Sequence, residues 1–210
     1  MPFKNLRILS HPLIQQKLFY LRDKHTNNLN FRMMLSEIAA LMVYEITRNY
    51  PVQEKKVVTP LEETSGYVLA KSITLIPILR AGLAMCDGIL NLIPHARVGH
   101  LGIYRDKHTL QPVEYYKKFP NSMADTEIIL IDPMLATGGS IIAALDCVKK
   151  AGGKSIIFVC LVASPEGVRL LEEKHGDVPV YTAALDRELN QKGYILPGLG
   201  DAGDRIYGTE

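Results

Sequence analysis

The sequence has little that would mark a secreted, metal-binding or membrane protein. Its three cysteines, Cys86, Cys147 and Cys160, are an odd set without metal-ligand spacing. Its six histidines show neither H-x-x-x-H nor H-E-x-x-H spacing. No apolar stretch approaches the roughly 20 residues that span a bilayer, and Met1–Ser10 lacks the apolar segment of a signal peptide. We therefore expect buried thiols, no metal held by protein side chains, no membrane partner and a cytoplasmic location.

Several functional motifs and a strong charge are also missing. There is no G-x-x-x-x-G-K-[ST] sequence, which excludes a Walker loop, and no G-x-S-x-G sequence, which excludes the usual hydrolase elbow. The net charge of +2 is too small to indicate nucleic-acid binding. Charged runs such as Asp186-Arg187-Glu188 are expected to be solvated surface residues. The 210 residues, 47% of them hydrophobic, fit one globular domain over residues 1–210 that needs no disulfide.

The spacing of apolar residues predicts an α/β protein. Two helices are expected within residues 11–48, and Tyr50–Lys71 is expected to be loop or short edge strands. Between about residues 72 and 185, strands and helices alternate. The predicted strands are Ser72–Ile78, Arg97–Tyr104, Thr126–Ile131, Ser155–Val162 and Val178–Ala183; the predicted helices are Ala81–Ile93, Gly139–Lys150 and Pro165–His175. This succession predicts a mostly parallel sheet flanked by helices, with ligands at the carboxyl ends of its strands.

A candidate phosphate site lies in the stretch Ile128–Ser140. Asp132 follows an apolar strand, and the small residues Ala136-Thr137-Gly138-Gly139-Ser140 lead into a helix. Glycines let backbone amides approach an anion, and the start of a helix offers free N–H groups and the positive end of its dipole. The alternative is an ordinary glycine turn in which Ser140 serves as the helix N-cap.

The same stretch carries a family resemblance. Asp132-Pro-Met-Leu-Ala-Thr-Gly-Gly-Ser140 resembles the signature loop of type I phosphoribosyltransferases, which bind 5-phosphoribosyl-1-diphosphate (PRPP). Most members have two adjacent acidic residues where this chain has Asp132-Pro133, and this variant resembles the uracil phosphoribosyltransferase branch. The resemblance implies that Asp132 contacts the ribose hydroxyls and that Ala136–Ser140 hold the 5′-phosphate. The PRPP-binding residues that it implies in this loop are Asp132, Pro133, Met134, Leu135, Ala136, Thr137, Gly138, Gly139 and Ser140.

Two arginines are candidates for the diphosphate of PRPP. Arg80 follows the first core strand, where we expect regular pairing to stop near Pro77 and Gly82 to allow an unusual backbone conformation. A guanidinium fork there can clamp phosphate oxygens. Arg105 follows the strand Arg97–Tyr104, although a plain surface loop would explain it equally well. Both match the family pattern, and Asp106–Tyr116 resembles a mobile arm or flap that would exclude water.

The C-terminal stretch of about residues 190–210 is rich in glycine and acidic residues. Its G-x-G-x-x-G pattern at Gly198, Gly200 and Gly203 cannot open a dinucleotide-binding unit, because too few residues follow. A flexible tail is one interpretation, but apolar anchors (Tyr194, Ile195, Leu196, Ile206 and Tyr207) favour an ordered loop. Its backbone could complement the carbonyl and N–H edge of uracil. An Asp204–Arg205 ion pair could orient it.

This segment resembles the uracil-binding hood of uracil phosphoribosyltransferases. That likeness implies that Ile195, Gly200, Asp201 and Ala202 contact uracil, with Asp201 also near PRPP. Arg80, Arg105 and Asp201 are the implied catalytic residues, with Asp201 the candidate acceptor of the N1 proton. The family also implies Mg²⁺ chelated by PRPP, a homo-oligomer (dimer or higher) and GTP as a possible effector.

The predicted reaction is transfer of the phosphoribosyl group from PRPP to N1 of uracil, giving UMP and diphosphate. One alternative is a phosphoribosyltransferase for orotate or a purine, against which the hood argues. The other is a PRPP-sensing regulator that binds nucleic acid, against which the near-neutral charge and the absence of a preceding helix-turn-helix segment argue.

Overall fold

The structure is a computed structural model that describes residues 3–105 and 112–209. Its helices are α1 (Pro12–Arg22), α2 (Asn28–Ile46), α3 (Leu83–Leu92), α4 (Gly139–Lys150), α5 (Pro165–His175) and α6 (Ala202–Tyr207). Its strands are β1 (Leu6–Ile8), β2 (Val52–Val58), β3 (Glu63–Leu69), β4 (Ser72–Leu79), β5 (Arg97–Val98), β6 (His100–Arg105), β7 (Pro112–Lys118), β8 (Thr126–Ile131), β9 (Met134–Leu135), β10 (Ser155–Ala163), β11 (Val180–Leu185), β12 (Glu188–Leu189) and β13 (Ile195–Leu196). No helix in these ranges is long and apolar enough to cross a bilayer.

A mostly parallel sheet forms the centre of the molecule. Among the described residues its strand order is β1-β11-β10-β8-β4-β6-β7, with β5 beside β4 and β9 beside β10. Within this sheet, β6–β7 is the only antiparallel pair that the described residues form. This confirms the predicted fold class.

Two apolar clusters bury the two faces of the sheet. One cluster joins α1, α2 and α3 to one face, and the other joins α4 and α5 to the opposite face. Each fully buried aliphatic or aromatic side chain contributes about 1.5–3 kcal/mol to this packing. The strands are therefore apolar on both faces, as β8 shows with Ile128, Ile129, Leu130 and Ile131 all buried.

The order of the strands creates a switch point between β4 and β8. The chain leaves β4 through α3 to reach β6 on one side, then returns to place β8 on the other side of β4. Ligands of open α/β sheets bind at the carboxyl ends of strands where the order reverses in this way. Arg80 follows β4 and Asp132 follows β8, so both lie at this position.

Two of the central strands, β4 and the expected strand Arg97–Tyr104, differ from the sequence prediction. Regular structure does not stop at Pro77: β4 pairs with β8 as far as Pro77 and then with β6 through Leu79. Because each parallel neighbour uses alternate peptide groups, one missing N–H is tolerated. The expected strand Arg97–Tyr104 is divided at Gly99, whose N–H donates to the Leu75 carbonyl at 2.9 Å.

The segment Tyr50–Lys71 forms a defined hairpin. β2 and β3 pair over seven residues each as a separate two-stranded antiparallel sheet. Nearly all of their side chains are exposed, including Val58 and Tyr67. The sequence pattern of β2 and β3 does not reveal a buried face, because neither face of the hairpin is buried against another described part of the chain.

The three cysteines are buried and free, as expected. Burial raises the pKa of the Cys86 and Cys160 thiols to about 12, so both stay protonated near neutral pH.

Candidate active site

The end of β4 brings Arg80 to the rim of the switch point. Arg80 is exposed, and its guanidinium lies 5.2 Å from the centre of the Tyr207 ring. The Tyr207 hydroxyl donates a 2.9 Å hydrogen bond to the Arg80 carbonyl. The C-terminal helix α6 therefore contacts the residue predicted to bind diphosphate, a link that the sequence did not reveal.

Gly82 is needed for space rather than for an unusual conformation. Its φ of −62° and ψ of −22° are ordinary helical values, so the expected special backbone is wrong. A Cβ at this position would lie 2.5 Å from the Ile131 carbonyl oxygen and 2.8 Å from the Ile78 nitrogen. Glycine thus lets the turn after β4 sit directly against the end of β8.

The first part of the predicted phosphate loop is a strand. Met134 and Leu135 form β9, which pairs with Val162 and Ala163 of β10. The Pro133 carbonyl accepts hydrogen bonds from the amides of Leu161 (2.9 Å) and Val162 (3.2 Å). Since Pro133 and Leu135 are also buried, they hold the loop against the sheet, and of these three residues only Met134 lines the cleft described below.

The second part of the loop presents unpaired amides. α4 begins after Gly138, which has a φ of +85° and no capping side chain, so Ser140 is not an N-cap. The amides of Thr137, Gly138, Gly139 and Ser140 donate no hydrogen bond to any other described residue. A Cβ at Gly139 would meet nothing within 4 Å, so the space on that side of Gly139 is open. Unpaired amides at the start of a helix can bind an anion, which makes this loop a candidate anion site.

The first turn of α5 supports this loop from behind. Ser164 caps α5 by accepting from the Gly167 amide at 2.9 Å, and its hydroxyl donates to the Ala136 carbonyl at 2.7 Å. A Cβ on Gly167 would collide with that same carbonyl, and Gly167 also packs against Gly138. The sequence did not reveal this contact between Ser164 and the predicted phosphate loop.

Asp132 stands between this loop and the hood. Its Oδ1 accepts from the Met134 amide at 3.0 Å. Burial, with a further contribution from the negative charge of Asp201, raises the pKa of the Asp132 carboxyl to about 7. A carboxyl group with a pKa shifted toward neutral pH, between two candidate binding segments, is typical of a functional site.

A cleft of about 250 Å³ opens at this point. Its lining residues come from the turn after β4, the loop after β8 and the hood: Ala81, Asp132, Met134, Ala136, Gly193, Tyr194, Gly200, Asp201, Ala202 and Gly203. Its volume is slightly below the range of about 300–1,000 Å³ that is typical of ligand pockets in proteins.

The hood is ordered and ends in a helix that the sequence did not predict. Asp201 caps α6 by accepting from the Asp204 amide at 3.0 Å, and Ile206 is fully buried against the core. Gly200 has a φ of +74°, a conformation that favours glycine. Gly200, Asp201 and Ala202, the residues predicted to contact uracil, line the cleft. Ile195 is buried in β13 opposite Leu189 and does not line it.

Tyr194 was expected to be an apolar anchor but lines the cleft. Its side chain is 44% exposed. An aromatic face at this position can stack on a planar base.

Two expectations about charged residues near the hood are wrong. Asp186 is buried, and both its oxygens bind Arg22, the last residue of α1, at 2.6 and 2.8 Å. Arg205 does not pair with Asp204 among the described residues; it donates to the carbonyls of Leu199 (2.9 Å) and Asp23 (2.6 Å). Its guanidinium also lies 4.3 Å from the centre of the buried Phe31 ring, a cation–π contact that stabilises this position.

Part of the predicted diphosphate side falls outside what the structure describes. The backbone of Arg105 ends β6, but its side chain and residues 106–111 are outside the described part of the chain. The remainder of the expected flap, residues 112–116, belongs to β7 and pairs with β6. Within the described residues no three His, Cys, Asp or Glu side chains cluster as metal ligands.

Two solved structures of other proteins share this fold. A hypoxanthine-guanine phosphoribosyltransferase from Bacillus anthracis shares the fold, with a TM-score of 0.52, 12% identity, and coverage of 76% of this chain and 80% of that one. The AQ2163 protein from Aquifex aeolicus superimposes with a TM-score of 0.93 at 38% identity, covering 98% of this chain and 99% of that chain. The fold is that of a type I phosphoribosyltransferase.

Sequence comparison narrows the class to one family. The family model described as uracil phosphoribosyltransferase matches residues 8–209. A uracil phosphoribosyltransferase from Halalkalibacterium halodurans is 57% identical over 204 residues, which are 97% of this chain and 98% of the relative. The chain belongs to the uracil phosphoribosyltransferase family.

Proposed function

We propose that this chain transfers the 5-phosphoribosyl group of PRPP to N1 of uracil, releasing UMP and diphosphate. The observation that carries the proposal is the pairing of two segments across Asp132. On one side are the unpaired amides at the start of α4, and on the other is the backbone of Gly200–Ala202. One segment suits a phosphate and the other a planar ring with carbonyl and N–H groups.

The loop after β8 would hold the ribose 5-phosphate. The amides of residues 137–140 and the hydroxyls of Thr137 and Ser140 are donors, and the α4 dipole adds a favourable field. Ionised Asp132 would accept hydrogen bonds from the ribose hydroxyls, which fixes the sugar relative to the phosphate. Pro133, Met134 and Leu135 would contribute by shaping the backbone.

The hood would read the base. Main-chain groups of Gly200, Asp201 and Ala202, with the backbone near Ile195, would meet the polar edge of uracil, and Tyr194 would cover its face. Cytosine replaces a carbonyl by an amine, so it would leave buried polar groups of such a site unpaired. Asp201 would accept the N1 proton as the new bond forms.

The diphosphate would leave toward Arg80 and Arg105. Negative charge collects on this group as the bond to the ribose C1 lengthens. Preorganised positive charges aimed at that position supply a large part of the catalytic effect. Tyr207, which contacts Arg80, would keep its guanidinium over the rim of the cleft.

Mg²⁺ fits the oxygen chemistry of the cleft. It is usually bound through one or two carboxylates together with substrate phosphates, and the cleft contains Asp132 and Asp201. We propose that PRPP supplies most of its ligands. When bound, the ion would neutralise charge on the diphosphate.

Three further features stay proposals from the family resemblance. Assembly into a homo-oligomer is supported by exposed apolar side chains on the hairpin, such as Val58 and Tyr67, and on α1, such as Phe19. Whether GTP is an effector is tested by measuring the rate of UMP formation with and without added GTP. A cytoplasmic location is expected of a salvage enzyme.

The test is formation of UMP from uracil and PRPP with Mg²⁺, run beside orotate, cytosine and hypoxanthine. We expect turnover with uracil and none with the other three bases. Turnover with another base would reassign the acceptor. Binding of RNA or DNA at physiological salt without any turnover would favour a regulator instead.

A further inference from the structure

We propose that Arg22 and Asp186 are positioning residues for the base: they fix the base-reading segment of the hood without touching the substrate. The inference rests on the proposed function, since it assumes that Gly200–Ala202 read the base. It adds two residues from outside the cleft, one at the end of α1 and one after β11.

Arg22 and Asp186 together form hydrogen bonds with both the amide and the carbonyl of Gly198. The Gly198 amide donates to Asp186 Oδ2 at 2.9 Å, and the Gly198 carbonyl accepts from Arg22 Nη1 at 2.9 Å. Arg22 and Asp186 hold each other through two parallel hydrogen bonds, Nη1 to Oδ2 at 2.8 Å and Nη2 to Oδ1 at 2.6 Å. This closed arrangement leaves Gly198 little freedom to rotate.

The pair is shielded from water, so its geometry is well defined. The side chain of Asp186 is 4% exposed and that of Arg22 is 24% exposed. A two-point arginine–carboxylate contact is directional, and loss of either partner leaves a charge with poor solvation. The backbone of Asp186 is fixed too, because its amide donates to the Ala163 carbonyl at 2.8 Å.

Gly198 connects the pair to the cleft over a short distance in the chain. It has a φ of +62°, and a Cβ there would collide with the Ile195 carbonyl, so its orientation is closely defined. Two residues later the chain reaches Gly200, the first of the three consecutive residues at the cleft. The intervening Leu199 carbonyl is bound by Arg205. The Asp201 carbonyl is also engaged, since it accepts from the Arg205 amide at 3.1 Å. The amides of residues 200–202 donate to no other described residue, so they remain for the base.

Loss of the Arg22–Asp186 pair should therefore weaken the binding of uracil and leave the binding of PRPP nearly unchanged. Neither residue lines the cleft, and within the described part of the chain neither forms a hydrogen bond with the loop of residues 136–140. A small displacement of a binding group is enough to weaken a site that depends on geometry. A pair that only stabilised the fold would lower the affinity for both substrates together.

The variants are Asp186→Asn, which keeps the shape but removes the charge, and Arg22→Lys, which keeps the charge but removes the fork. Each should raise the KM for uracil at least about tenfold, the scale of a lost charged hydrogen bond, and change the KM for PRPP less than about twofold. The control is Glu188→Gln, two residues from Asp186, which alters an exposed ion pair with Arg187 and should change neither KM.

Hydrogen exchange gives a readout that does not depend on activity. Amides of residues 195–203 should exchange faster in both variants than in the wild type or Glu188→Gln, while those of α4 and α5 should not. If the wild type makes no UMP, the proposed function fails, but this exchange still tests the positioning. An unchanged KM for uracil, a parallel rise in both KM values, or insolubility of both variants would overturn the inference.

Discussion

The protonation of a single side chain at the switch point depends on its surroundings. Asp132 follows β8 at the edge of the core, where burial and the nearby Asp201 raise the pKa of its carboxyl to about 7. Between the ordinary value of 3.8 and about 7, the folded chain holds a proton that the unfolded chain has released. Asp132 therefore reduces the stability of the folded protein progressively as the pH rises through this window.

Replacement of Asp132 by Asn should remove this effect. Asp132→Asn should be more stable than the wild type at pH 8 by about 1–2 kcal/mol, a value reduced because the cleft admits water, and about equally stable at pH 4. Thermal unfolding at both pH values measures this without substrate. Equal differences at pH 4 and pH 8 would show that the carboxyl titrates normally.

Arg80 is expected to act mainly in the transition state. Arg80→Ala should lower kcat/KM at least about 100-fold, the scale of losing one key charge stabiliser. Steady-state kinetics with uracil and PRPP measure it, and Arg187→Ala, which removes an exposed arginine, is the control. Near-normal kinetics would remove Arg80 from the diphosphate site.

Asp201 has a structural and a proposed chemical role that one substitution separates. Asn is as good an N-cap as Asp, so Asp201→Asn should leave α6 intact while removing the charge. We expect a lower kcat with the affinity for PRPP roughly unchanged, measured by kinetics and by PRPP titration. Unchanged turnover would exclude Asp201 as the proton acceptor.

At the scale of elements, the first turn of α5 determines the position of the phosphate loop. Gly167→Ala would push a methyl group into the Ala136 carbonyl. The KM for PRPP should rise about tenfold or more with little change in the KM for uracil, because a binding group is displaced. Gly66→Ala is the matched control, since a Cβ there meets nothing within 4 Å. Equal effects of both substitutions would contradict the supporting role of α5.

The elements also show which parts of the molecule local sequence could predict. α4 and α5 have the predicted bounds, because each is amphipathic and α5 has the clear start signal Ser164-Pro165. The helix α6 was missed because it is short, contains Gly203 and is flanked by Gly200 and Gly208, residues of low helix propensity. Packing of Ile206 on the core stabilises it. Asp186 was misassigned because its partner, Arg22, is 164 residues away in the sequence.

At the scale of the whole molecule, the order of the strands assembles the site. The phosphate loop, Arg80 and the hood lie far apart in the sequence, and the switch between β4 and β8 brings the first two together. The hood joins them because α6 packs on α2 and Tyr207 reaches Arg80. Residue types and spacing identified most of these parts, but only the tertiary contacts explain how the parts meet.

The most direct test of this arrangement is a crystal structure of the protein with UMP. The 5′-phosphate should lie about 2.7–3.2 Å from amides of residues 137–140, with the pyrimidine against Gly200–Ala202. A phosphate bound away from the start of α4, with those amides making no contact to it, would contradict the account.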